Sequence, residues 1–293
     1  MDQTLSALIR QLDLEPLEVN LFRGQSRDMG TPRVFGGQVI GQGLVAAERT
    51  VDGRVPHSLH AYFLLPGDVA APIVYQVDRV RDGKSFSARR VQAIQHGRPI
   101  LSMIASFQTP QPGFEHAAPM PEVPPPEALT SSTELQVRWL AEAGPVSPRI
   151  AEALRAPSAI EIRPVEPQHP FRPSPAEPRQ AVWFRAVDRV PDHPQLHRCI
   201  LAYASDYTLF STALRPHGRS WYQPSMIVAS IDHALWFHRP ARIDEWLLYA
   251  MDSPSAQSAR GLTRGLIYDR AGRLVASVAQ EGLMREVRPA ADS

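Results

Sequence analysis

The chain repeats itself, and that constrains its fold more than anything else in the sequence. Phe35–Leu44 can be laid over His197–Asp206, both as the starts of amphipathic helices, with Leu44 set against Asp206. Downstream, Ser58–Pro66 faces Ser230–Pro240 across small gaps, and Ser87-Ala-Arg89 matches Ser258-Ala-Arg260. Gly97-Arg98 then matches Gly272-Arg273, and Ser102–Ala105 lies over Ser277–Gln280. Matches that keep one order through two halves argue for duplication of a unit of roughly 100 residues, a common domain size.

Each unit reads as an extended segment, a long helix and then strands joined by turns. This is not alternating βαβα, so it predicts an α+β fold with an antiparallel sheet. Glu18–Arg23 is expected as the first strand, after a short amphipathic helix carrying Leu5, Leu8, Ile9 and Leu12. Gly36-Gly37 opens the first long helix; Ile73–Val80 alternates as a half-buried strand, with turns at Asp82-Gly83 and His96–Pro99. Between Pro110 and Pro194 lie 18 of the 29 prolines, which excludes continuous regular structure there. Within that stretch Thr133–Glu142 still reads as helix, and Ile160–Val165 and Ala181–Val187 as strands. The expected organisation is an N-terminal unit over 1–115, a proline-rich linker over 116–156 and a C-terminal unit over 157–293.

Apolar residues at Leu196, Ile200, Tyr203, Ala204, Tyr207 and Phe210 recur at helical spacing, predicting one helix with Asp206 inside it. A carboxylate in such surroundings must be paired, hydrogen-bonded or functional, because burying a bare charge is costly.

At this point the chain resembles the type II acyl-CoA thioesterases, the double-hotdog family. In the first half the resemblance rests on Phe22–Ser26, Val34–Gln38, Tyr62–Asp68 and Arg81–Arg90. In the second it rests on Tyr203–Asp206, Ser230–Pro240 and Gln280–Arg285, so that it covers nearly the whole chain. It implies two tandem hotdog units, each an antiparallel sheet wrapped around a long helix. It also implies hydrolysis of acyl-CoA thioesters, with no cofactor and no metal, by a water that Asp206, Ser230 and Gln280 hold. The residue types suit that role: an Asp accepts the water's proton, while Ser and Gln fix it through hydrogen bonds. The family often carries Thr where Ser230 stands, so the β-branch is lost and the hydroxyl kept.

The repeat is asymmetric at these positions, with Leu44, Ser58 and Ala105 where the second half has Asp206, Ser230 and Gln280. It therefore predicts one composite site per chain. Antiparallel packing of the two helices, as in the family, would let Gly37 and Gln38 offer backbone N–H groups to the thioester oxyanion. The glycines would otherwise serve only close packing.

Other chemistries find less support. There is no G-x-S-x-G elbow. His233 and His238 stand at an odd strand spacing, which puts them on opposite faces and keeps them from sharing a metal ion, so His233 reads as a core histidine or as one that supports the site residues. Cys199 lies in an apolar helix face and reads as inert packing. Arg79, Arg81, Lys84, Arg89 and Arg90 either meet coenzyme A phosphates or form a solvated hairpin. Trp236, Phe237 and Trp246 line an acyl channel or pack the core. A hotdog enoyl-CoA hydratase or dehydratase, and a non-catalytic acyl-CoA binder, remain the alternative functions.

The formal net charge of +1 gives no general attraction to nucleic acid or membrane. No run approaches the ~20 apolar residues of a membrane span. The lone cysteine fits a reducing compartment. Neither the first residues nor Ala-Ala-Asp-Ser293 reads as a targeting address. The expectation is a cytoplasmic protein whose partners are an acyl-CoA substrate and further copies of itself, as a dimer or tetramer.

Overall fold

The computed structural model describes residues 1–30 and 33–287, so the C-terminal tail read for an address lies outside the described residues. Helix α1 (Gln3–Leu12) is capped by Asp2, whose carboxylate accepts from the N–H groups of Thr4 and Leu5, and it buries Leu5, Leu8 and Leu12. Strands β1 (Glu15–Glu18) and β2 (Leu21–Gly24) follow. The single first strand expected over Glu18–Arg23 is thus broken at Asn20, which takes a left-handed conformation with φ 60°. Helix α2 (Gly36–Glu48) leads to β3 (Val55–Phe63), β4 (Ile73–Asp82), β5 (Phe86–Gln95) and β6 (Arg98–Gln108). After α3 (Ser132–Glu142) and α4 (Pro148–Arg155) come β7 (Ile160–Pro164), β8 (Arg179–Ala186), α5 (Pro194–Ala204) and α6 (Ser211–Leu214). The chain closes with β9 (Met226–Ser230), β10 (Asp232–Phe237), β11 (Leu247–Gln257), β12 (Arg260–Asp269) and β13 (Leu274–Glu286).

Among the described residues the strands form one antiparallel sheet in the order β1-β2-β4-β5-β6-β3-β10-β13-β12-β11-β8-β7, with β9 also on β13. Two hotdog sheets have fused edge to edge. The seam is β3 on β10, where Leu59 lies opposite Leu235 and both are fully buried. Joining at that seam removes the open edge each unit would otherwise present.

Helix α2 is buried from Gly37 to Glu48, because the first sheet wraps one side of it and α5 packs on the other. Val39, Ile40 and Leu44 are sealed there, each worth about 1.5–3 kcal/mol of burial. The two helices run antiparallel. A side chain on Gly41 would press on the Cys199 carbonyl, and one on Gly37 would run into that of Tyr203. Glycine is therefore required at 37, while at 41 a side chain would be crowded.

The stretch expected as a linker covers part of the sheet instead of hanging free. Trp183 Nε1 donates to the Pro124 carbonyl at 2.9 Å, and Arg163 to that of Pro126 at 2.9 Å. Met120, Val123 and Leu129 close over Trp183, Leu248, Tyr268 and Leu274. Helix α4 then reaches back to the first half, where Arg149 donates to the Gly30 carbonyl.

Candidate active site

The helix that should have run past Asp206 stops short of it. Helix α5 ends at Ala204; Ser205 turns its hydroxyl onto the Ala202 carbonyl, and Thr208 adopts φ 62°. Asp206 therefore sits in the turn after α5, with its side chain only 6% exposed. It points across the helix pair to the start of α2. There the Gly37 N–H donates to Oδ2 at 2.8 Å, and the Gln280 Nε2 donates to Oδ1 at 2.7 Å. Phe35, the residue before α2, gives no side-chain cap, so the carboxylate from the other half of the chain caps this helix. Desolvation pushes the Asp206 carboxyl up to about 6, against the opposing effects of the Gln280 and Gly37 hydrogen bonds.

Gln280 lies on β13, 1% exposed, and its Nε2 also reaches Ser230 Oγ at 3.2 Å and His233 Nδ1 at 3.3 Å. Ser230 and His233 are three positions apart, a spacing that a regular strand would split between its two faces. The chain evades this with a β-bulge. Ser230 pairs with Gly282 and Ala234 with Ala279, so one extra residue is accommodated on the β9–β10 side around Ile231. The bulge resets the alternation and turns both side chains toward Gln280. Strand periodicity does not reveal this bulge; of the two places expected for His233, in the core or in support of the site residues, the structure gives it both, buried and against Gln280. The structure also brings in Ser205, whose hydroxyl lies 2.9 Å from His233 Nε2.

Asp206 and Gln280 are thus in direct contact, and Ser230 meets Gln280. Gly37 and Gln38 have different uses from the oxyanion role expected of them. The Gly37 N–H is taken by Asp206, and the Gln38 N–H bonds the Phe35 carbonyl at 3.1 Å in the first turn of α2. The Gln38 side chain belongs to a buried network behind the helix, accepting from the Arg27 N–H and donating to the Gln25 carbonyl.

The repeat needs a new register at the helices. Counted from their first residues, Gly36 and Pro194, the counterpart of Asp206 is Glu48, whereas Leu44 is an interior helix residue. The expected alignment was displaced by four residues, about one helical turn, which leaves the apolar face in phase and is invisible to periodicity. Glu48 faces the start of α5 as Asp206 faces the start of α2, but it is ion-paired with Arg198 at 3.0 Å. The match of Ser87 with Ser258 also fails: Ser87 lies inside β5, while Ser258 and Ala259 form a left-handed turn. Gly97 and Gly272 both occupy left-handed turns, as their alignment expected.

Other expectations divide. Arg89 is 1% exposed and bonds Asp82, Thr50 and the Arg81 carbonyl, so it is no phosphate ligand. Trp246 lies under the guanidinium groups of Arg163 and Arg185, in the cluster beneath the proline-rich segment, and not in a channel. His233 is buried and His238 bonds Ser277, on the other face of the strand. Among the described residues no group of three or more His, Cys, Asp or Glu side chains gathers as a metal site. Burial pushes the Cys199 thiol well above its ordinary range.

Comparison with known proteins follows the same division of the chain. Residues 25–108 match the family described as the acyl-CoA thioesterase N-terminal domain, and residues 152–283 the family described as acyl-CoA thioesterase. Acyl-CoA thioesterase 2 of Haemophilus influenzae is 41% identical over 97% of this chain and 99% of its own length. Human acyl-coenzyme A thioesterase 8 is 43% identical over 95% of this chain and 88% of its own. The crystal structure of the acyl-CoA thioesterase II TesB2 from Mycobacterium marinum superposes with a TM-score of 0.77 at 45% identity, covering 97% of this chain and 99% of that one. With two hotdog sheets fused in one chain and relatives this similar along its whole length, the protein belongs to the acyl-CoA thioesterase family.

Proposed function

We propose that the protein hydrolyses acyl-CoA thioesters at the Asp206–Gln280–Ser230 site, with Asp206 as general base. The observation that carries this reading is a buried carboxylate held near neutrality, its two oxygens fixed by Gly37 and Gln280. A base of that strength is ionised at physiological pH yet still takes a proton readily, which is the optimum for general base catalysis.

The polarity of the hydrogen bonds assigns the other roles. Gln280 Nε2 donates to Ser230 Oγ, so the serine hydroxyl proton remains free to donate toward the reacting centre. Gln280 Oε1 is buried and has no hydrogen-bond partner among the described residues, which suits it to accept from a water. Asp206 takes the proton of the attacking water as its oxygen forms a bond to the thioester carbon. Collapse of the tetrahedral intermediate breaks the carbon–sulfur bond, and the proton passes from Asp206 to the departing thiolate. The products are a carboxylic acid and coenzyme A.

The single buried thiol supports a cytoplasmic setting. Among the described residues no helix is long and apolar enough to cross a membrane.

Thiol release from acyl-CoA thioesters, measured for the wild type and for Asp206→Asn, tests the assignment. The wild type should turn over, and the mutant should lose ~10²–10⁴-fold in kcat while remaining folded. Wild-type turnover by the mutant would remove Asp206 from the role of base.

A further inference from the structure

A primary amide has two orientations that fill the same space, and Gln280 functions as described in only one. With Nε2 toward Asp206 it donates to the carboxylate. Turned over, it would set Oε1 against Oδ1 at the same 2.7 Å separation, two acceptors facing each other. Asp206 itself enforces the productive orientation only while ionised. Once it has taken a proton, its O–H could bond Oε1 equally well, and the amide would be free to turn within a catalytic cycle.

A second restraint comes through a chain of hydrogen bonds whose direction is set at its far end. The Ala202 carbonyl can only accept, so the Ser205 hydroxyl gives it its proton, at 2.9 Å. Ser205 Oγ, 2.9 Å from His233 Nε2, is then left to accept, which places the imidazole proton on Nε2. His233 Nδ1 therefore carries the lone pair, and it lies 3.3 Å from Gln280 Nε2. Ser205, His233 and Gln280 are each no more than 1% exposed, so solvent does not substitute for any link. The imidazole is kept neutral, since burial pushes it down to about 3.

We propose that His233 is a positioning residue: by accepting at Nδ1 a share of the second Gln280 N–H, which also faces Ser230 Oγ, it keeps the amide nitrogen turned toward Asp206 in both protonation states of Asp206. The inference rests on the reading of Asp206 as base, and it adds a role for an invariable acceptor that the base cannot supply itself.

The test compares His233→Leu, which removes the acceptor, with His233→Asn, whose Oδ1 restores one close to the position of Nδ1. The readouts are kcat, KM, the pH dependence of kcat/KM and the folded fraction. Around Asp206 the phenols of Tyr203, Tyr207 and Tyr249 are held above their ordinary range by burial, with Arg27 near the first two; the Asp232 carboxyl, also raised by burial, accepts from the Glu281 N–H, so Asp232→Asn is run alongside and should leave the acid limb of the Asp206 carboxylate in place. In His233→Leu, kcat should fall by on the order of 10²-fold with KM unchanged, and the acid limb should move to higher pH as Oε1 comes to face Asp206. His233→Asn should recover most of the turnover and the original limb. A His233→Leu enzyme with the wild-type limb and normal turnover per folded molecule would overturn the proposal. So would equal losses in both variants with an unmoved limb, the signature of packing alone. Should His233→Leu fail to fold, the histidine ¹⁵N resonances of the wild type decide: a neutral Nε2–H tautomer is expected, and an Nδ1–H tautomer overturns the proposal. Failure of the underlying reading would appear separately, as full turnover in Asp206→Asn.

Discussion

The Gly37 N–H and the Asp206 carboxylate meet at 2.8 Å although 169 positions separate them in the chain. The contact ties the start of α2 to the turn after α5, so neither hotdog unit contains the site alone. Each half supplies what the other lacks. The first brings a helix start with unused N–H groups, and the second a carboxylate, an amide and a hydroxyl. The positive end of α2 favours the ionised carboxylate, while burial opposes it, and the balance near pH 6 follows from their competition.

That balance predicts opposite pH trends for activity and stability. The base works ionised, so kcat/KM should rise as pH increases through about 6, the value to which burial pushes the Asp206 carboxyl. Its folded value lies above its ordinary 3.8, so its contribution to stability is full below that value and is lost as pH rises through about 6. The loss amounts to roughly 3 kcal/mol. Denaturation of wild type and Asp206→Asn at pH 4 and pH 8 checks the sign: the mutant should gain on the wild type as pH rises. A mutant that loses ground instead would mean the ionised carboxylate is stabilising.

Changing the amide to an acid probes the same balance from its partner. Gln280→Glu sets a second carboxyl beside Asp206 Oδ1, where the Gln280 Nε2 now donates at 2.7 Å. Like charges so close raise one of the two pKa values strongly, so the acid limb of kcat/KM should move up by at least about one pH unit. Gln280→Ala and Ser230→Ala should each lower kcat, and together by less than the product of the separate losses, because the two act on one water. Fully multiplicative losses would show that they act independently.

Much of this arrangement was legible in the sequence, and its errors share a cause. Duplication and the antiparallel sheet could be read because residue type and order carry them; Asp206, Ser230 and Gln280 were expected together from the family resemblance, and the structure brings their side chains into contact through Gln280. The register between the helices could not, since a slip of one turn keeps the apolar face of Gly36–Glu48 in phase and exchanges Glu48 for Leu44. The bulge around Ile231 was equally hidden. An extra residue in a strand changes no residue type; it only reverses which face His233 occupies. The partner of the Gly37 N–H in this structure, the Asp206 carboxylate, was not legible because a helix start suits a carboxylate as well as an oxyanion.

The paired glycines at the start of α2 should respond differently to the same substitution. A β-carbon on Gly36 would lie 2.7 Å from Asp206 Oδ2 and 2.9 Å from the Phe63 ring, whereas on Gly37 it would meet the Tyr203 backbone carbonyl. Side chains yield more easily than a packed helix backbone. Gly36→Ala should therefore fold but displace the carboxylate from the Gly37 N–H, lowering kcat by on the order of 10²-fold. Gly37→Ala should chiefly destabilise the α2–α5 contact and lower the melting temperature. Circular dichroism melts alongside kcat per folded molecule separate the two outcomes, and a fully active Gly36→Ala would show that the carboxylate need not stay where it is.

At the opposite end of the helix pair, Glu48 and Arg198 offer a control for the claim of one site per chain. Glu48 occupies the place corresponding to Asp206, with a side chain 5% exposed, and desolvation raises its carboxyl while Arg198 at 3.0 Å pulls it down. The guanidinium occupies the carboxylate, and Ala105 stands where the second half has Gln280, so no water-holding set is left there. Arg198→Met should strand a buried carboxylate and destabilise the fold by about 3–5 kcal/mol. Because the folded Glu48 value is raised, the penalty belongs to the ionised form; it should grow as pH rises through that value and shrink in acid. Adding Glu48→Gln should recover most of the loss, since an uncharged amide needs no counterion. Turnover per folded molecule should stay close to normal in both variants, because no group at the Asp206 end is touched. A marked fall in turnover in Glu48→Gln, with the protein well folded, would reveal a second working site and end the one-site reading.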